Sequence, residues 1–184
     1  IVVSGFAGGT ANTEFDVLTG MQASAISADN PSSFRVVNRN VDSLFRLFGD
    51  DGARTSFFHP GDDWFYNREN VYRWFGAEKT VFIDQMSDLI TNELDSAVSA
   101  GETLFHYTTT IQNHMSYTAD KYGEGYEYPE VPLNVEVSDQ VASMLNVYVE
   151  GVRDADAMLG RLVDYFSQRS EPVVLVFLGD HLPY

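Results

Sequence analysis

The chain has 184 residues, 11 Lys and Arg against 27 Asp and Glu, no cysteine, and 44% hydrophobic residues. That is enough apolar material for a folded core and excludes a disordered chain. A net charge of −16 excludes a nucleic-acid binder, which needs a basic surface to displace phosphate counterions, and disfavours an anionic membrane surface as a partner. Without cysteine there is no disulfide, thiolate metal site or Cys nucleophile.

Apolar spacing alternates between helical and strand periods along the chain, with no internal repeat and no Pro/Ser-rich linker, so a single domain over residues 1–184 is expected. After a glycine-rich opening, Ala11 to Thr19 reads as a helix stopped by Gly20, and Val41 to Phe48 as a second stopped by Gly49. Arg54 to Phe58 reads as a strand ending at His59. Asn67 can cap a helix to Phe75 with an apolar stripe of Val71, Tyr72 and Phe75 and Gly76 as its stop, and Thr80 to Ile83 follows as a strand. Ser87 can cap a helix reaching Gly101, and Thr103 to Thr109 is rich in strand formers. Ser116 to Val137, with four tyrosines and two prolines, has no period and reads either as a lid bordering a site or as an excursion packed by its own tyrosines. The longest helix spans Ser138 to Gln168, its stripe running from Val141 through Leu145, Tyr148 and Val152 to Phe166, with Gly151 and Gly160 as points of bending. Val173 to Leu178 is a continuous apolar run suited to a parallel strand buried on both faces. Elements alternating in this way predict an α/β fold with a mostly parallel sheet flanked by helices.

In such a fold ligands gather beyond the carboxyl ends of strands, so polar residues that follow strands are the candidates. Gly179-Asp180-His181 sets a carboxylate beside an imidazole after the apolar run, a pair that either binds one divalent metal or merely caps a turn and fills a crevice. Gly8-Gly9-Thr10-Ala11-Asn12-Thr13-Glu14-Phe15 places glycines and a hydroxyl at a helix start, where free N–H groups favour an anion. There Thr10 is either a nucleophile or a simple cap. His59-Pro60-Gly61-Asp62-Asp63-Trp64-Phe65-Tyr66-Asn67-Arg68 brackets an aromatic turn with a histidine and an arginine suited to bidentate phosphate contact, although Trp64 and Phe65 also suit a core. His114 follows a strand, whereas His106 lies mid-strand and is read as structural.

These four motifs, in this order and spacing, resemble the lipoteichoic acid synthase family, the sulfatase-like phosphoglycerol transferases of the alkaline phosphatase superfamily. The resemblance implies a sulfatase-like core, of which this chain is an internal fragment truncated at both ends. It also implies Thr10 as nucleophile and metal ligand, with Asp180 and His181 as further ligands. His59, Asp62, Tyr66, Arg68 and His114 fall where the family meets phosphoglycerol. The family carries Trp where Tyr66 stands and Asp where Gly61 stands, with Asp62 one position on. Its fourth metal ligand, a Glu some tens of residues before the nucleophile, has no counterpart in the nine residues ahead of Thr10, so weak metal binding is expected, and tight binding would instead point to another carboxylate such as Glu14 or Asp62.

The implied cofactor is a divalent metal, Mn2+ first and Mg2+ or Zn2+ next, since the donors are oxygen and nitrogen without thiolate. The implied partners are a phospholipid head group and a polyol or glycan acceptor, at the extracytoplasmic face of a bacterial membrane reached through N-terminal membrane helices that this sequence lacks. The implied reaction passes phosphoglycerol from a phosphatidylglycerol-like lipid through Thr10 to that acceptor. Phosphoethanolamine transfer, other phosphodiester hydrolysis and a non-catalytic binding module are the alternatives. A true sulfatase is disfavoured by the lack of a Cys/Ser-x-Pro-x-Arg nucleophile motif.

Overall fold

The computed structural model describes residues 5–6, 9–26, 33–82 and 87–182. Gly8, Ile83, the opening Ile1-Val2-Val3 and Tyr184 lie outside them. The chain packs as two compact units, Ile1–Thr109 with Val174–Tyr184, and Thr110–Val173, where the sequence leads one to expect a single domain.

In the first unit the order is β1 (Gly5–Phe6), α1 (Thr10–Thr19), α2 (Ala23–Ile26), α3 (Leu44–Asp50), β2 (Arg54–His59), α4 (Arg68–Phe75), β3 (Lys79–Phe82), α5 (Ser87–Ser99) and β4 (Leu104–Thr108), with short 3-10 turns at Ser33–Arg35 and Phe65–Asn67. Among the described residues every strand pairing is parallel. β2 lies between β3 and β4, with Ser56 opposite Lys79 on one side and His106 on the other. β1 pairs with β5 (His181–Leu182), Gly5 facing His181. This is the α/β architecture that the alternating patterns predict.

Local signals explain most boundaries. Gly20 and Gly76 both end helices in the left-handed conformation, as their positions suggest. The core forms where the helical stripes meet β2: Phe15, Leu18, Phe34, Phe45, Phe57, Val71, Tyr72 and Phe75 are buried together. Tyr72 stacks on Phe57 and meets Phe34 and Phe45 edge-on. Aromatic pairs in these arrangements add to their area burial.

Three expectations are corrected. The helix read from Val41 begins at Leu44, because Ser43 is extended and accepts a hydrogen bond from the Arg46 amide; Gly49 lies inside it and the cap is Asp51. Asn67 precedes α4 in a left-handed conformation with no side-chain cap bond. The apolar run Val173–Leu178 is not a buried strand: Val174 is 90% and Val176 73% exposed. A strand covered on both faces needs partners at both edges, and among the described residues pairing here starts only at His181.

In the second unit, α6 (Asp139–Ser167) matches its predicted span, with Ser138 accepting from the Val141 amide and Gln168 as the closing cap. The buried face is offset from the predicted stripe: Val147, Met158 and Leu162 are buried, of which only Leu162 belongs to that stripe, while its Val141, Met144 and Val152 stay exposed. Gly151 permits a close approach of the preceding loop. A Cβ there would lie 2.5 Å from Asn113 Oδ1 and 2.9 Å from the Gln112 carbonyl. In residues 116–137 the rings of Tyr122, Tyr126 and Tyr128 pack on one another and the Tyr126 hydroxyl donates to Glu150 at 2.6 Å, which matches the self-packed excursion.

Candidate active site

Thr10 opens α1 directly after Gly9, whose φ of 96° only glycine adopts without strain. Gly9 is the N-cap and no side chain caps the helix, so Thr10 is not spent on capping. Its hydroxyl donates instead to Asp180 Oδ2 at 2.7 Å, across 170 residues of sequence. The β1–β5 register explains the meeting: His181 faces Gly5 just ahead of the turn into α1, so Asp180 arrives beside the first helical turn. The pair thus stands at the entrance of a two-residue strand rather than after a long one.

Asp180 is fixed on three sides. Its Oδ1 accepts the His181 amide at 2.9 Å, its carbonyl accepts the Thr13 hydroxyl at 2.5 Å, and its Oδ2 lies 3.4 Å from His181 Nε2. One hydroxyl, one carboxylate and one imidazole therefore share a point at the N-terminus of a ten-residue helix. Donors at these separations, all oxygen or nitrogen, fit a hard divalent cation. They supply a single negative charge, and among the described residues no group of three His, Cys, Asp or Glu side chains could hold a metal.

Glu14 does not complete that set. One turn beyond Thr10 and 1% exposed, it receives Arg68 Nη2 at 3.0 Å and Nε at 3.3 Å, the Tyr72 hydroxyl at 3.1 Å and the Thr109 hydroxyl at 3.1 Å. Arg68, also 1% exposed, sends its remaining nitrogen Nη1 to the Phe65 carbonyl at 3.3 Å. The arginine expected to face a phosphate is thus fastened to α1. Burial first, and then the Glu14 carboxylate, hold the Tyr72 hydroxyl well above its usual range, so it remains a donor. The Tyr107 hydroxyl is raised by the same two causes in the same order, with Asp180 contributing less.

Of the other candidates, His59 closes β2, buried between the rings of Phe57 and Phe82. Tyr66 has a φ of 58° and lies under the Arg68 guanidinium at 5.1 Å. Asp62 is exposed on the connecting turn, its carbonyl accepting the Phe65 amide. Trp64 and Phe65, compatible with a core by composition, are exposed instead. His114 belongs to the second unit, its Nδ1 2.6 Å from the Met115 carbonyl and its own carbonyl accepting Lys121. His106 is structural as read, with Nδ1 2.8 Å from Ser56 Oγ. Sequence reasoning missed Thr13, Tyr107 and Thr109. For Glu14 a signal existed, since it falls three residues after Ala11 and four before Leu18 on the apolar face of α1, where a charge requires a partner.

A parallel α/β fold with a hydroxyl, carboxylate and imidazole at one helix start is the layout of the sulfatase-like class. The sulfatase family model matches residues 1–184, and the chain belongs to that family. Two curated relatives come from Rhizobium meliloti. A protein named for a proposed role in cyclic beta-1,2-glucan modification is 27% identical over 97% of this chain and 29% of its own length. The capsular polysaccharide biosynthesis protein RkpI is 24% identical over 97% and 33%. The chain thus spans about a third of the curated relatives it matches. Among solved structures, the Streptococcus pyogenes phosphoglycerol transferase GacH, in complex with sn-glycerol-1-phosphate, superposes with a TM-score of 0.76 at 21% identity, covering 98% of this chain and 50% of that one. The Listeria monocytogenes lipoteichoic acid synthase LtaP gives 0.69 at 20% identity, covering 90% and 41%.

Proposed function

We propose that the protein is a phosphoglycerol transferase that uses Thr10 as a covalent nucleophile and a glycan as acceptor. The observation that carries this is the hydrogen bond from Thr10 Oγ1 to Asp180 Oδ2, with His181 Nε2 alongside, at the first turn of α1. GacH and LtaP support the transferred group, and the two Rhizobium relatives support a carbohydrate acceptor.

Asp180 orients the Thr10 hydroxyl and holds its proton in a hydrogen bond. The first-turn N–H groups of α1 favour the anionic phosphodiester at that hydroxyl. A bond forms between Thr10 Oγ and phosphorus, the bond to the lipid alcohol breaks, and the proton that leaves Thr10 ends on that alcohol. An acceptor hydroxyl then reverses the sequence, taking the phosphoglycerol and returning a proton to Thr10. Thr10, Asp180 and His181 would hold a divalent cation, Mn2+ by donor type, which supplies charge neutralisation of the phosphate when bound. His59 and Tyr66 are assigned to the glycerol head group. Arg68 is assigned to the phosphate through Nη1, the nitrogen that Glu14 does not engage.

The test is transfer by the full-length protein from phosphatidylglycerol. Thr10→Ala should abolish it with the fold intact, and undiminished transfer would sink the covalent route.

A further inference from the structure

Trp64 is 69% exposed and Phe65 48% exposed. Two large rings side by side at a surface form a contiguous apolar patch, the kind of feature that marks a binding contact. They stand on a bonded frame. The Trp64 carbonyl accepts the Asn67 amide at 2.9 Å, the Asp63 carbonyl accepts the Glu69 amide at 3.2 Å, and Tyr66 and Asn67 are held at positive φ. From this frame a row of contacts runs inward. Trp64 meets Phe65 edge-on at 5.9 Å, Phe65 meets Tyr66 at 4.5 Å, Tyr66 lies under Arg68, and Arg68 is bound to Glu14 one turn from Thr10.

We propose that Trp64, with Asp62 and Asp63, forms a subsite for a neutral sugar of the acceptor glycan; this rests on the transferase reading above. An exposed indole offers a flat apolar face to the C–H face of a pyranose, and two adjacent carboxylates accept hydrogen bonds from its hydroxyls. Charge decides against the other occupant of an exposed tryptophan, an anionic lipid surface. Asp62 and Asp63 immediately precede Trp64 and the whole chain carries −16, so such a surface repels this turn whereas an uncharged glycan does not.

The chain has two tryptophans, Trp64 and Trp74, and Trp74 is partly buried against the core. In a Trp74→Phe protein the emission reports Trp64 alone. Titration with neutral cyclic beta-1,2-glucan should then give a saturable change, and Trp64→Ala should weaken glucan affinity by calorimetry at least tenfold with melting unchanged. No saturable change, equal affinity in Trp64→Ala, or a response to phosphatidylglycerol vesicles in place of glucan overturns the subsite. Binding is read without turnover, so the two readings fail separately. Trp64-dependent glucan binding without any Thr10 adduct removes the transferase reading and keeps the subsite, and an adduct without such binding does the reverse.

Discussion

Replacing Glu14 by alanine strands the Arg68 guanidinium in the core. Both side chains are about 1% exposed, so water cannot re-solvate the charge, and two further donors, the Tyr72 and Thr109 hydroxyls, lose their acceptor. Breaking a buried ion pair from one side costs about 3–5 kcal/mol, because the surviving charge is left uncompensated. At about 2–4 °C per kcal/mol for a chain of this size, the melting point should fall by roughly 6–20 °C. Glu14→Gln keeps the shape and still leaves the charge, so it should fall in the same range. The double variant Glu14→Leu with Arg68→Met removes both charges and should be less destabilised than Glu14→Leu alone, because the unpaired Tyr72 and Thr109 hydroxyls are common to both and only the single change strands a charge. Urea unfolding at constant m-value measures the wild type, these variants and the two component singles Glu14→Leu and Arg68→Met. A loss below about 1 kcal/mol in Glu14→Ala, or a double variant at the sum of the singles, would refute the account of this pair.

Three further outcomes follow from the geometry. His106 is held near pH 4 instead of 6.5, first by burial and then by Lys79. Between those values the unfolded chain takes up a proton and the folded chain does not, so stability should drop as pH falls from 6.5 to 4, by up to about 3 kcal/mol. Urea midpoints in His106→Asn should lose that slope, and an unchanged slope contradicts the assignment. Gly151→Ala should destabilise by about 1–3 kcal/mol because of Asn113 and Gln112, whereas Gly160→Ala, with nothing within 4 Å, should stabilise by up to about 1 kcal/mol; thermal melts that rank them the other way contradict the close approach at Gly151. Calorimetric titration of this chain with Mn2+ should show weak binding, since one carboxylate is a poor complement to a divalent charge, and tight stoichiometric binding would mean that another acid completes the set.

The sequence made legible those elements whose signals are local. Helix α6 was readable to its caps because Ser138 precedes a 29-residue helix of sustained helical period, and α4 because Val71, Tyr72 and Phe75 recur before Gly76. Pairing is not local. The run Val173–Leu178 has the composition of a central strand, but its neighbours decide whether it becomes one, and composition says nothing about neighbours. The site shows the same division. Thr10, Asp180 and His181 could be named from motifs, and their spacing in space follows from the Gly5–His181 register, which no one-dimensional pattern contains. The motif suggested a phosphate-facing role for Arg68, whereas its ion pair with Glu14 required knowing that α1 and α4 share a core.

The most direct test of the central claim is intact-mass analysis of the full-length protein after incubation with phosphatidylglycerol and Mn2+. The account predicts an adduct of one phosphoglycerol unit that maps to Thr10, is absent from Thr10→Ala, is reduced in Asp180→Asn, and is discharged on adding glycan. An adduct on another residue, or full transfer to glycan by Thr10→Ala, would contradict it.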